Sequence, residues 1–164
     1  MTKSTVFPRT FVGFRWLENV EVVSHLLLIL DDLKKFVDAV EDKTVNVTKR
    51  KSNENMLKAL KNIKLLRSRL EFFVSVAREL EPFMRQYQTN NPLAPLMYNE
   101  LQRIMCKLLR RFIKADLVND LKSGSAIMKF DIKKELNLLP LKEVDIGFGA
   151  RRALSLIITK AMKQ

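Results

Sequence analysis

Apolar residues return at alternating spacings of three and four along most of this chain, the pattern of helices with one buried face. Val23, Leu26, Leu30, Leu33, Val37 and Val40 form the first stripe and predict a helix from about Leu17 to Val40. A polar stretch from Glu41 to Asn55 interrupts it. There Thr44, Asn46, Thr48, Ser52 and Asn53 disfavour continued helix, because their short side chains compete for backbone hydrogen bonds. Ser52 is placed to cap a second helix. In that helix Met56, Ala59, Ile63, Leu66, Leu70, Phe73, Ala77, Leu80 and Met84 keep the spacing, and Pro82 predicts a kink or the end of its straight part. Asn90, Asn91, Pro92 and Pro95 mark a loop, and Tyr98, Leu101, Met105, Leu108 and Phe112 a third helix.

The pattern weakens from Lys114 to Glu143. Asp116 to Leu121 reads as one helical turn, Ser123-Gly124-Ser125 as a turn, and Pro140 and Gly147 as breaks. Ala150, Leu154, Ile157 and Ala161 mark a last helix. No strand alternation and no repeat of 20–50 residues accompany these stripes. The expected fold is all-α, a bundle of three long amphipathic helices plus shorter C-terminal helices. Residues 1–16 form an extended N-terminal segment in this reading, and 17–164 a single helical domain. A continuous stripe serves either intrachain packing, its commoner use, or a partner helix.

Composition agrees with a folded chain: 47% of its 164 residues are hydrophobic and 29% charged, with four glycines and five prolines. The net charge of +12 suits a polyanion, either nucleic acid or an anionic membrane surface. That charge is uneven. Residues 18–42 carry seven carboxylates against Lys34 and Lys35, whereas 43–69 carry nine cations against Glu54 alone. A second basic stretch, 102–114, holds Arg103, Lys107, Arg110, Arg111 and Lys114 with no acid. Cys106 has no second cysteine to pair with and fits a reducing compartment; one Cys and one His exclude an intrachain Cys/His zinc cluster. The longest apolar run, Leu26 to Leu30, falls far short of the ~20 residues of a membrane span, so no span is expected. Lys3, Arg9 and Arg15 precede the first acid, Glu18, without the apolar core of a secretory signal.

Chemistry-bearing motifs are scarce. There is no nucleophile motif, glycine-rich phosphate loop or metal-ligand spacing, and no cofactor or metal is expected. His25 reads as a packed or surface helical residue and Cys106 as a small core residue. Asp31 and Asp32 diverge by about 100° on a helix and cannot converge on one metal. Solvation, or pairing with Lys34, Lys35 or another helix, is their expected role. Lys49, Arg50 and Lys51, continued by Lys58, Lys61, Lys64 and Arg67, make a basic ridge ~25–30 Å long if helical. Such a ridge serves solubility, pairing with the acidic first helix, or contact with nucleic-acid phosphates. Trp16, the single tryptophan, follows Arg15 and either plugs the helical core or offers a face for base stacking.

Several short patterns together resemble hAT-superfamily DNA transposases. They are Phe14-Arg15-Trp16-Leu17 ahead of an amphipathic helix, then Phe72 to Val76, Leu80-Glu81-Pro82-Phe83 and Tyr87-Gln88-Thr89. Leu108 to Lys114 and Val144 to Phe148 follow in the same order. The likeness spans roughly residues 7–155. It implies the helical insertion of an RNase H-like catalytic core, whose three metal-binding carboxylates would lie upstream of Phe7 and beyond Gln164. Without them, two-metal strand transfer is not expected. The resemblance also implies that Trp16 stacks on an unpaired base and that Arg15 contacts phosphate. The expected function is that of a non-catalytic, transposase-derived nuclear domain with weak, largely sequence-independent DNA binding. A helical adaptor binding a protein, or itself, through its stripes is the alternative.

Overall fold

The computed structural model describes residues 16–48, 50–61, 63–88 and 93–161, and leaves the side chains of 16–18, 61, 64, 94 and 159–161 outside that description. Among the described residues the fold is all-α, with no named strand. Its helices are α1 (Trp16–Glu41), α2 (Lys51–Lys61), α3 (Ile63–Tyr87), α4 (Ala94–Leu109), α5 (Ala115–Asn119), α6 (Gly124–Lys129) and α7 (Phe148–Ala161), with a 3-10 turn at Glu135–Asn137. The three long helices are α1, α3 and α4, and shorter ones follow. Of the N-terminal segment expected to be extended, residues 1–15 lie outside the described residues, and Trp16 is the first residue of α1.

One boundary differs from the expected one. The long stripe after residue 52 runs through α2 and α3, and Asn62, between them, lies outside the described residues. Ser52 sits within the first turn of α2, one residue past its start. The helix begins earlier because the Arg50 carbonyl already accepts from the Asn53 and Glu54 amides, while the Asn53 side chain donates to the Thr48 carbonyl. Pro82, by contrast, does not end α3, which runs on to Tyr87. Proline still removes the N–H that would reach the carbonyl four residues back, at Arg78. The chain divides into two compact units at that residue, one of 1–77 with 147–164 and one of 78–146.

In the first unit the core follows the first stripe. Val23, Leu30 and Val37 are buried as its spacing predicts, together with Ile29. Leu30, Val37 and Leu60 form a cluster over which Leu27, Leu33, Met56, Leu57, Ile63 and Leu66 close. The buried position of α2 is Leu60, whereas Ala59 of the expected stripe is exposed. Ser68, also buried, donates its hydroxyl to the Leu65 carbonyl, so its polarity is met within the helix. α1 ends with Lys43 in the left-handed region at φ 58°, and the Thr44 amide reaches back to the Ala39 carbonyl. This is the closing geometry usually given to glycine. At the other end of the unit, a Cβ on Gly149 would collide with the Glu71 carboxylate. Glycine therefore lets an acid of α3 approach the first turn of α7, where the helix dipole favours negative charge.

The second unit turns on Arg111, which is only 4% exposed. Its Nε donates to the Asp145 carbonyl at 3.0 Å and lies 3.5 Å from that residue's carboxylate, while Nη1 donates to Glu79 of α3 at 3.4 Å. The backbone repeats the connection. The Asp145 amide donates to Arg111, the Leu139 amide to Phe112, and the Lys114 amide to Asn137. Ile113 and Leu138 form an isolated antiparallel bridge. Ile104, Ile113, Val118 and Leu121 fill the interior around this seam. The expected third stripe does not supply that interior. Tyr98, Leu101 and Met105 are 57%, 46% and 39% exposed, and Phe112 lies beyond the helix end.

Two stability measurements follow. Leu30→Ala should cost about 2–5 kcal/mol in chemical denaturation, and Leu28→Ala, 70% exposed, under about 0.5 kcal/mol. Equal effects would misplace the core face of α1. Arg111→Ala should destabilise by about 3–5 kcal/mol, because it removes the buried guanidinium that ties Glu79 to the Asp145 carbonyl. A change below about 1 kcal/mol would show that the seam does not depend on the guanidinium.

Candidate nucleic-acid interface

A phosphate-binding surface needs cations that project into solvent and are not already neutralised within the chain. α2 provides such a surface on its outward side. Its core-facing side is taken by Leu60, with Met56 and Leu57 packed beside it, so Lys51 and Lys58 fall on the other side and are exposed. Seven residues apart, they share one helix face about 10 Å apart along the axis. Arg50, just ahead of the helix, is also exposed. Glu54 lies close to the same face and offsets part of this charge.

The remaining ridge residues fare differently. Arg67 is tied to Asp31 of α1 at 3.0 Å, a cross-helix pair between the acidic and basic segments. Asp31 is 82% exposed in that pair, so its contribution to stability is at most about 1 kcal/mol. Asp32 pairs instead with Lys35 at 3.1 Å. The two adjacent carboxylates thus diverge, one to a neighbouring helix and one along its own. Lys49 and Arg15 lie outside the described residues, as do the side chains of Trp16, Lys61 and Lys64.

The second basic stretch is largely occupied by intrachain contacts. Arg103 pairs with Glu100 at 2.7 Å and Lys107 with Glu79 at 3.7 Å; Arg110 donates to the Asn119 side chain, and Arg111 is buried. The Glu100–Arg103 pair is readable from its spacing of three on a helix. The other partners come from 9 to 34 residues away and have no local signal. His25 has a buried Nδ1 with no hydrogen-bond partner among the described residues, and Cys106 is a half-buried free thiol. Among the described residues no group of His, Cys, Asp and Glu is arranged to hold a metal ion, and no helix is long and apolar enough to cross a membrane.

No family model matches this chain, and no curated protein or solved structure shows significant similarity to it.

Proposed function

We propose that the chain is a non-catalytic helical domain of hAT-transposase ancestry that binds DNA weakly through the cationic face of α2, with little sequence preference. The observation that carries this reading is the exposure of Arg50, Lys51 and Lys58, whereas the second basic stretch is largely engaged in intrachain contacts. Side chains of this kind meet phosphates along a duplex and read no base edges. Lys49, Lys61 and Lys64 continue the basic run in the sequence. Trp16 and Arg15 add a stacking and phosphate contact at unpaired ends, as the likeness to the transposases implies, and the working compartment is the nucleus.

Fluorescence anisotropy with a labelled duplex tests the reading. Three phosphate contacts predict a loss of affinity of about 40-fold between ~50 and ~200 mM salt. The triple change Arg50→Gln, Lys51→Gln and Lys58→Gln should weaken binding to all sequences alike and flatten the salt slope by two to three units, roughly one per lost contact. Trp16→Ala should cost about 1–3 kcal/mol on single-stranded ends and spare duplex. A salt slope untouched by the triple change would remove α2 from the interface. Incubation with DNA hairpins and Mg²⁺ or Mn²⁺ should leave the strands intact; cutting abolished by a single acidic substitution would overturn the non-catalytic reading.

A further inference from the structure

We infer that the groove between α4 and α6 docks an acidic amphipathic helix of a partner protein. This surface belongs to the unit of residues 78–146 and is separate from the α2 face proposed to meet DNA. Tyr98, Leu101 and Met105 form one wall, at spacings of three and four on α4, and Ile127, Met128 and Lys129 form the other. The groove holds about 720 Å³ and is open along one side. Met128 is 89% exposed at its edge, and Leu101 on the facing wall is 46% exposed. A site for a small molecule encloses most of its ligand. An open trough with exposed apolar edges matches a helix laid along it, with apolar anchors at i, i+3 or i+4, and i+7. Methionines on both walls let the surface adapt to such anchors.

The walls are held in place before any partner arrives. The Tyr98 hydroxyl accepts from the Gly124 amide at 2.9 Å, and the Ser123 hydroxyl caps α6 by accepting from the Ala126 amide. A Cβ at Gly124 would press to 3.2 Å from the Tyr98 hydroxyl, so glycine eases this close approach.

Charge selects the partner. Among the described residues Lys129 is the one charged residue lining the groove and no acid lines it, and Lys122 stands exposed two residues ahead of Gly124. Carboxylates flanking the apolar anchors complement this rim, and the net charge of +12 favours their approach. A second copy of this chain is a poor match. Its acidic helix, α1, turns its stripe into its own core and, among its described side chains, exposes one large apolar residue, Leu28.

The test uses a fluorescein-labelled synthetic helix of about five turns, with Leu anchors at helical spacing and flanking Glu. It should bind the intact chain, and exchanging its Glu for Lys, or its Leu for Gln, should weaken binding about tenfold or more. Leu101→Asp and Met128→Asp should each weaken it to a similar degree, and Met128→Asp, at a side chain almost wholly in solvent, should leave the melting temperature unchanged. Lys129→Gln should flatten the salt dependence of peptide binding. Equal affinity for the peptide without leucines would reduce the interaction to charge and overturn the proposal, as would indifference to both Asp substitutions. Sedimentation showing a dimer abolished by Met128→Asp would assign the groove to a second copy. Binding to phosphatidylserine vesicles that Met128→Asp abolishes, with no peptide binding, would assign it to a membrane.

Discussion

A guanidinium stays protonated at any physiological pH, so burying one obliges the fold to bring acceptors to it. Arg111 meets that obligation from two directions in the chain, Glu79 on α3 and Asp145 on the segment after it. The elements between Arg111 and Asp145 are short. α5 and α6 have five and six residues, too few to be stable helices alone. Their placement depends on the seam that Arg111 and the paired backbone of Phe112 and Lys114 create. Glu79 also lies 3.7 Å from Lys107, so one carboxylate serves two cations, one buried and one exposed.

The first unit is held together differently. Its long helix α1 buries a continuous apolar stripe against α2, and non-directional packing supplies most of the stabilisation. Polar contacts there are peripheral. Arg67 and Asp31 meet at the surface, and Glu71 approaches the first turn of α7 where glycine leaves room for it. These contacts bias how helices meet without bearing the free energy of folding.

The division of charge bears on function. Where cations and acids face one another across helices or within a turn, as at Arg67, Arg103 and Lys107, positive charge is spent inside the chain. Arg50, Lys51 and Lys58 keep theirs in solvent. Exposed apolar side chains are most numerous on α4, where Tyr98, Leu101 and Met105 line a groove instead of a core. A polyanion and an apolar helix would thus use different elements.

Helix content, the end of α1 near Glu41, the core face Val23–Leu30–Val37 and the excess of positive charge were all legible in the sequence. Each depends on residues close together in the chain, where periodicity and propensity act. Periodicity states that a helix has an apolar face but not what covers it. The same three-four spacing that buries Leu30 leaves Leu101 in an open groove. Nor could a run of basic residues reveal which of them finds a carboxylate. Arg111 looks like Arg110 in the sequence, yet one is buried among acceptors 32 and 34 residues away and the other is exposed. Local sequence determined the helices and their apolar faces; tertiary structure alone decided which faces and which charges remained in solvent, because both depend on partners that meet only when distant segments pack.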